Sequence, residues 1–387
     1  MEFEYWWLLA LPLFFTLGWL AARVDINQLL TESTALPAAY FKGLNFLISD
    51  QHDKAIEAFI EAVQANAESM ELHFALGSLF RRRGEVDRAI HLHLSLLERK
   101  ELPEQQKQAV MAELAQDYLK AGLFDRAEEL FTSLHDSRYK QTALRALLEI
   151  YIREREWNNA IKSAVDLERL SGISFRKEVA QFHCEIAMKA ILEHDSHSAR
   201  HALDMAIEAD KRCARANIML GDLEAANGNH KLAISFWKRV EFQQSEYLGL
   251  VAPKLLNSYK ALGSLDEGIA VLKGYLQTYK LPSILNLVYE TTLTEEGPAS
   301  AEALAREELS RKPSLQTLDQ FLRAQSQLEG ANQQDALLMQ QTVRYAIGNR
   351  SAHYCDQCGF RARNFHWQCP ACNAWESLSP ESKESAI

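Results

Sequence analysis

Basic residues are too few in this chain for a protein whose default ligand is nucleic acid. The 387 residues include 42 Lys and Arg against 52 Asp and Glu, which gives a formal net charge of -10. Such a surface repels a polyanion unless its basic residues are gathered on one face. Nucleic acid is therefore not expected as a partner, while 47% hydrophobic and 24% charged residues are ordinary for a globular protein.

Cysteine is also sparse outside the C-terminal region. Only Cys184 and Cys213 precede residue 355, and both lie within helical patterns. Two such cysteines do not make the disulfide framework of a small secreted protein. We therefore expect the bulk of the chain to lie in a compartment where thiols stay reduced.

Several common catalytic motifs are missing from the sequence. It contains no Gly-rich phosphate loop, no Gly-x-Ser-x-Gly elbow and no His-Glu-x-x-His motif. We predict a protein that is not an enzyme, with no catalytic residues and no site for an organic cofactor.

One long hydrophobic run is present, at the N-terminus. Residues 5–22 form an uncharged apolar stretch of 18 residues, at the lower edge of what crosses a bilayer. The alternative is a cleaved signal peptide, but that needs basic residues before the run, where Glu2 and Glu4 stand instead. We predict that residues 1–22 are a retained single-pass transmembrane anchor, followed by a linker over residues 23–35.

The charges beside this run predict its orientation. Arg23 and later Lys42 follow the run and no Lys or Arg precedes it, so the positive-inside tendency puts the C-terminal bulk in the cytoplasm. A reducing cytoplasm also suits the thiolate cluster described below.

Residues 36–349 show helical periodicity and internal repetition. Apolar residues recur at i, i+3, i+4 and i+7, with no sustained strand alternation. A small residue recurs in similar short segments at steps of 34, 38, 33, 39, 34 and 35 residues, at Ala55, Ala89, Ala127, Ala160, Ala199, Ala233 and Gly268. A period near 34 resembles that of the tetratricopeptide family, which implies stacked helix pairs in a right-handed all-α superhelix with a protein-binding groove. The resemblance covers seven units over residues 36–279, and Ala303 with Glu307 suggests an eighth.

Other residues of each unit fit a tightly packed helix pair. Glycines such as Gly84 and Gly122 are suited to end the first helix, and we expect Asp87 and Asp125 to cap the second, with Glu128 completing a capping box at Asp125. Four residues after each small residue the same face carries a mostly large side chain, among them Phe59, Phe131 and Trp237, with His93 as a departure.

Four cysteines near the C-terminus predict a metal site. Cys355, Cys358, Cys369 and Cys372 form two C-x2-C pairs separated by ten residues. Four thiolates fill a tetrahedral shell and leave no open position, so the site is structural rather than hydrolytic. The bound ion is iron or zinc, and the residues alone do not choose between them.

The metal ribbon is assigned to residues 353–376. It is too short for a core of its own, so the ion must supply most of its folding free energy. We expect Phe360, Phe365, Trp367 and Trp375 to cover the site and to dock on the last helices, around Tyr345 and Ile347. The residues after it, 377–387, are polar and are predicted to form a flexible tail.

Three other clusters have ordinary structural interpretations. His353 and His366 are alternate ligands only if the cysteine set is incomplete. Arg81 to Arg83 precede Gly84, where cations complement a helix C-terminus, although a phosphate or an acidic peptide is the alternative. The histidines at positions 194, 197 and 201 include an i, i+4 pair without a third ligand, which favours solvated helix surface.

The order of anchor, repeats and four-cysteine ribbon resembles the LapB (YciM) family of Gram-negative bacteria over essentially all 387 residues. The C-x2-C-Gly and C-Pro-x-C knuckles are also similar to those of rubredoxins. The family resemblance implies an inner-membrane adaptor that promotes degradation of the LpxC deacetylase by the FtsH protease, and so regulates lipopolysaccharide synthesis. It also implies a lipid-sensing inner-membrane regulator as a partner. Self-association is left open.

Two rival functions remain from the residues. A redox carrier would use the thiolate site for electron transfer and would expose a sulfur edge. A nucleic-acid-binding ribbon would present Arg361, Arg363 and Trp367 as a basic and aromatic surface.

Overall fold

The computed structural model describes residues 38–99, 102–328, 333–347, 351–381 and 383–384, together with Thr16. The predicted anchor, apart from Thr16, and the predicted linker lie outside the described residues. Among the residues that are described, no helix is long and apolar enough to cross a membrane.

Helices and a short three-stranded sheet make up the described chain. The helices are α1 (Ala38–Ile48), α2 (His52–Ala65), α3 (Met70–Arg83), α4 (Val86–Leu97), α5 (Glu104–Ala121), α6 (Phe124–Ser133), α7 (Lys140–Glu154), α8 (Trp157–Ser171), α9 (Arg176–Leu192), α10 (Ser196–Ala209), α11 (Ala214–Ala226), α12 (His230–Gln243), α13 (Leu248–Ala261), α14 (Leu265–Tyr279), α15 (Pro282–Glu295), α16 (Pro298–Arg311), α17 (Leu315–Gln327) and α18 (Gln333–Ile347). A 3₁₀ turn, Ser245–Tyr247, precedes α13, and the strands are β1 (Ser351–Tyr354), β2 (Arg361–Ala362) and β3 (Lys383–Glu384). In the described chain, consecutive helices pair as repeats 1 to 9, from α1 with α2 to α17 with α18, and the odd-numbered helix is the first helix of each repeat. This confirms the prediction of an all-α protein with a small C-terminal ribbon.

Close approach of the two helices in a repeat depends on the recurring small residue of the second helix. The six alanines predicted for this position, from Ala55 to Ala233, are each 0% exposed. In repeat 1, a Cβ on Gly43 of the first helix would lie 2.6 Å from the Phe59 ring. The same relation joins Gly221 to Trp237 in repeat 6. A glycine on one helix therefore makes room for the large side chain on its partner.

Helix ends follow the predicted glycines but not the predicted aspartates. Gly84 has a φ of +84°, and its N–H and that of Glu85 bond back to the last carbonyls of α3. The aspartate caps are wrong, because α4 and α6 each begin one residue before Asp87 and Asp125, and neither helix has a side-chain cap. Both carboxylates lie in the first turn, where they complement the helix dipole.

The repeat continues beyond its predicted end, in a different register from the one expected. Ala303 is exposed, whereas Ala301 and Ala305 are fully buried against Tyr289. Ala301 follows Gly268 by 33 residues, and Ala336, which is also buried, follows Ala301 by 35. The packing of α16 against α15 and of α18 against α17 therefore keeps the period, although the motif residues around these alanines have changed.

The described helices belong to two compact units. The N-terminal unit comprises Met1–Glu156 and Arg169–Ser171, and the C-terminal unit comprises Trp157–Glu168 and Gly172–Ile387. In the C-terminal unit, each first helix from α9 to α15 packs against the next first helix. We call the surface formed by α9, α11, α13 and α15 the first-helix layer.

Residues assigned to a flexible tail belong in part to the ribbon. Ser377 and Leu378 are buried, and β3 pairs with β1 on the side opposite β2. The ribbon therefore extends to residue 384, because its strands need this segment to complete the sheet.

Candidate metal centre

The first C-x2-C pair lies in the turn that follows β1. β1 and β2 are antiparallel, with Tyr354 opposite Arg361. The N–H of Cys355 bonds to the Phe360 carbonyl and that of Gly359 to the Cys355 carbonyl, each at 2.9 Å. Gly359 has a φ of +72°, so the left-handed residue predicted after Cys358 is present.

The second pair repeats this geometry. The N–H of Cys369 bonds to the Ala374 carbonyl and that of Asn373 to the Cys369 carbonyl, both at 2.9 Å. Asn373, directly after Cys372, is left-handed with a φ of +59°. Asparagine tolerates this conformation better than most residues, so both turns aim two sulfurs at one point.

The four predicted ligands converge in the structure. All four sulfur atoms lie within 4.8 Å of one another, with 3.7 Å between Cys355 and Cys372 and 3.8 Å between Cys358 and Cys369. A tetrahedral ion with metal–sulfur bonds of about 2.3 Å requires sulfur–sulfur separations of about 3.8 Å. The donor set therefore fits one iron or zinc ion, held by four thiolates.

Each pair contributes one buried and one exposed cysteine. Cys355 and Cys369 are buried, whereas Cys358 and Cys372 are exposed. A hydrogen bond with Ser377, whose Oγ lies 3.3 Å from the sulfur, lowers the pKa of Cys355 to about 6. The Phe360 amide favours the thiolate of Cys358, but partial desolvation and the three neighbouring sulfurs raise its pKa to about 12. Crowded thiolates repel one another, and a cation removes that repulsion.

The nearby histidines do not join the cluster. His353 Nδ1 lies 2.8 Å from the Ser379 carbonyl oxygen, and His366 is exposed. Within the described residues, the four cysteines are the one group with metal-ligand geometry. His197 and His201 are exposed on α10, and His194 is exposed in the turn before it, as expected for surface residues.

The ribbon docks on a different part of the molecule from the one expected. The Trp375 ring lies 6.3 Å from Trp157 and 6.2 Å from Phe182, while Trp367 lies 4.8 Å from Tyr247. The predicted docking site at the last helices is wrong, since Tyr345 there is 91% exposed. Trp375 and Trp367 instead cover the first-helix layer at α9, together with the start of α8 and the Tyr247 turn beside it.

Polar contacts hold the ribbon on this layer. The side chain of Glu376 is 3% exposed and accepts hydrogen bonds from Gln181 (2.7 Å) and Gln244 (3.4 Å), with Lys177 Nζ at 3.2 Å. Sequence reasoning missed Glu376, because its partners are about 130 to 200 residues away and no local pattern marks it.

A second polar contact lies at the end of the ribbon. The Glu381 carboxylate accepts hydrogen bonds from the N–H and hydroxyl of Ser283, in the first turn of α15. A Cβ on Gly249 would overlap both of these side chains. Glu381 therefore supplies the N-terminal cap that α15 lacks in its own sequence.

The cation at the centre of the contact is Arg215. Its guanidinium lies 5.7 Å from the ring centroids of both Trp367 and Trp375. It also donates to Gln181 (3.2 Å) and to Glu185 (2.7 Å). Cation–π contact of a buried guanidinium with two rings is favourable, and it orients the ribbon on α11.

The remaining sequence features have structural roles. Arg81 pairs with Asp117 and Glu113, and Arg83 pairs with Asp53, so two of the three consecutive arginines are held by carboxylates. The sulfurs of Cys184 and Cys213 are free and 3.9 Å apart, and their hydrogen bond and burial raise the pKa of Cys184. Buried thiols of high pKa are unreactive.

Comparison with known proteins gives matches for the helical repeats and for the ribbon. Residues 353–380 match the rubredoxin metal binding domain, and residues 42–102 and 193–245 match the tetratricopeptide repeat. A tetratricopeptide repeat protein from Parabacteroides merdae aligns with 79% of this chain and 97% of its own, with 14% identity and a TM-score of 0.33.

Full-length relatives carry the family assignment. Lipopolysaccharide assembly protein B of Escherichia coli K12 is 31% identical over 376 residues, covering 96% of this chain and 97% of its own. The protein of the same name from Haemophilus influenzae is 30% identical over 389 residues, covering 97% and 98%. The chain therefore belongs to the lipopolysaccharide assembly protein B family, with tetratricopeptide repeats and a C-terminal four-cysteine metal ribbon.

Proposed function

We propose that this protein is a non-enzymatic adaptor that regulates lipopolysaccharide synthesis. In this proposal it is anchored in the bacterial inner membrane by residues 1–22, with its repeats and ribbon in the cytoplasm. It brings the LpxC deacetylase to the FtsH protease, and a lipid-sensing membrane protein restrains it. Family membership supports the connection with lipopolysaccharide, and stacked helical repeats are scaffolds that bind protein segments.

The observation that carries the adaptor role is the docked ribbon. Arg215, Glu376 and Glu381 join the ribbon to three first helices, so ribbon and repeats present one continuous surface. A composite surface of this kind suits the recognition of a folded client protein.

In this proposal the membrane anchor holds the client-binding surface close to the protease, which promotes degradation of the client. A client held near a membrane protease becomes an intramolecular neighbour, and its effective concentration rises without any new chemistry. The anchor would then be required for regulation but not for folding of residues 38–384.

Removal of residues 1–22 tests this proposal. We expect the truncated protein, expressed at its native level, to remain folded and to lose its effect on the half-life of the deacetylase. A matched control replaces residues 1–22 by an unrelated single transmembrane helix and should restore regulation if tethering is sufficient. Normal deacetylase turnover with the truncated protein would refute the tethered adaptor.

A second candidate function, electron transfer, has one observation in its favour. Cys358 and Cys372 expose sulfur at the surface, where a redox partner has access. A bound iron ion with a visible charge-transfer spectrum and a reversible potential would support it, whereas a colourless zinc protein would exclude it. The nucleic-acid alternative is disfavoured, because Trp367 is packed against Tyr247 and Arg215 rather than open to a base.

A further inference from the structure

The two tryptophans that enclose Arg215 are carried by one metal-binding turn. Trp367 precedes Cys369 by two residues, and Trp375 follows Cys372 by three. The N–H of Glu376 bonds to the Trp367 carbonyl at 2.7 Å, which closes the two arms of the turn on each other. The spacing of the rings is therefore set by the turn that holds two sulfurs of the site.

The backbone of this turn is strained where it meets the repeats. Glu376 has a φ of +49° and Asn373 has a φ of +59°. A residue such as glutamate adopts this conformation only where surrounding contacts impose it. Those contacts are the sulfur cluster on one side and Gln181, Lys177 and Gln244 on the other. Without the ion, the sulfur cluster no longer constrains this backbone, and only the contacts with the repeats remain.

The docked contact is also imperfectly satisfied. Among the described residues, buried side-chain atoms without a hydrogen-bond partner include Arg215 Nε, Gln244 Oε1 and Trp375 Nε1, all at this contact. Buried polar groups are normally paired, and each unpaired one weakens the contact that buries it. Three unpaired polar atoms weaken the contact between the ribbon and the repeats, so this contact is suited to opening and closing.

The covered surface selects a particular chemistry. Trp375 lies against the stacked rings of Trp157 and Phe182, and the next residue, Glu376, receives two amide donors and an ammonium group. The site therefore fits an aromatic side chain followed directly by a carboxylate.

We propose that this surface, formed by the first residue of α8, by α9 and α11 and by the Tyr247 turn, is a binding site for an aromatic–acidic peptide segment. The ribbon is its intramolecular occupant, and the ion keeps it occupied. Loss of the ion relaxes the second turn, separates Trp367 from Trp375 and frees the surface for an external segment of the same chemistry. This inference does not depend on the adaptor proposal, because it concerns contacts within the C-terminal unit.

Hydroxyl-radical footprinting of the full chain tests the closure. Phe182 and Tyr247 should be protected when the ion is bound, like the core residue Trp237, and should react at rates approaching that of exposed Phe242 after chelation under reducing conditions. Glu376→Ala should expose Phe182 with the ion still present, whereas Asp356→Ala, at an exposed ribbon carboxylate, should not. Continued protection of Phe182 in protein shown to be free of metal would overturn the proposal.

A peptide tests the recognition chemistry. The probe is a labelled synthetic peptide of residues 364–378 with both cysteines replaced by serine. It should bind the ion-free chain and the ion-loaded Glu376→Ala variant, but not the ion-loaded wild type. A second peptide in which Trp375 and Glu376 are both alanine should bind none of them. Equal binding of the two peptides, or no binding of the first in any state, would contradict an aromatic–acidic site.

Discussion

Single glycines in the first helices decide how closely a repeat closes. Gly221 faces the ring of Trp237, whose Nε1 donates to the Ile218 carbonyl at 3.1 Å. Gly274 lies in α14 with nothing within 4 Å of the position of an added Cβ. The same residue type therefore has opposite consequences at two helical positions.

Gly221→Ala should destabilise the C-terminal unit. The added methyl group overlaps a buried ring, and overpacking of this kind costs roughly 1–3 kcal/mol. Gly274→Ala is the matched control and should stabilise the protein by about 0.4–1 kcal/mol, through a less flexible unfolded chain. Amide hydrogen exchange in α11 and α14 measures both changes, and equal effects of the two variants would refute the packing argument.

Burial and hydrogen bonding favour the neutral form of His73 in the folded protein. Its Nδ1 lies 2.7 Å from the Ser69 carbonyl, and its Nε2 lies 3.4 Å from the Arg99 guanidinium, so Nδ1 donates and Nε2 accepts. Burial, assisted by the charge of Arg99, lowers the pKa of His73 below its ordinary value of 6.5.

Stability of the N-terminal unit should therefore fall as the pH is lowered through 6.5. Below pH 6.5 the unfolded chain binds a proton at His73 more readily than the folded chain does. The contribution of neutral His73 to the free energy of unfolding is therefore present above pH 6.5 and is lost below it. In His73→Gln the slope of α3 hydrogen-exchange protection between pH 7.5 and 5.5 should decrease. His91→Gln, at an exposed position on α4, should leave the slope unchanged, and a similar change in both variants would assign the effect elsewhere.

Three helices of the N-terminal unit are joined by one buried ionic network. Asp117 on α5 is fully buried and accepts from Arg81 on α3 at 2.6 Å, with His93 Nδ1 on α4 at 2.5 Å. His93 lies four residues after Ala89, at a position that is aromatic or aliphatic in the other six of repeats 1 to 7, and its imidazole faces Gly77. The departure noted in the sequence is therefore one member of a polar cluster.

Asp117→Asn should destabilise this unit more than removal of an exposed ion pair does. Removing the charge of the fully buried Asp117 leaves the partly buried Arg81 incompletely paired, at a cost of roughly 3–5 kcal/mol. Asp53→Asn breaks the exposed pair with Arg83 and should cost less than about 1 kcal/mol. Thermal unfolding and hydrogen exchange in α3 to α5 compare them, and equal losses would show that the buried network has no special role.

The ion should influence one compact unit and not the other. In repeat proteins each element contacts only its neighbours, so loss of a contact is felt locally. The ribbon contacts α9, α11 and α15 in the C-terminal unit, and a structural four-thiolate ion contributes on the order of 10 kcal/mol to folding of its domain. Chelation should therefore unfold the ribbon and weaken hydrogen-exchange protection at the N-terminal ends of these helices.

Protection in α3 to α7 serves as the internal reference for that measurement. It should remain constant on chelation, and Cys355→Ser with Cys358→Ser should reproduce the effect of the chelator. Uniform loss of protection over both units would contradict local coupling, and an unchanged C-terminal unit would show that the ion supports the ribbon alone.

The sequence by itself determined the features that depend on neighbouring residues. Each helix pair is specified within one 34-residue period, with a left-handed glycine such as Gly84 at the end of its first helix. The two C-x2-C turns specify the four-thiolate cluster in the same way, from residues close together in the sequence. The register of the eighth repeat and the presence of the ninth were not predicted, because Ala301 and Ala336 keep their packing positions while the surrounding motif has changed.

Tertiary structure alone decided where the ribbon lies and what it covers. Arg215 meets Trp375, Gln181 meets Glu376 and Ser283 meets Glu381 across roughly 100 to 200 residues of chain. No periodicity links such positions, because each contact depends on the stacking of several intervening repeats. Glu376 is for this reason inconspicuous in the sequence and buried among donors in the folded protein, where stacking of the repeats has brought those donors together.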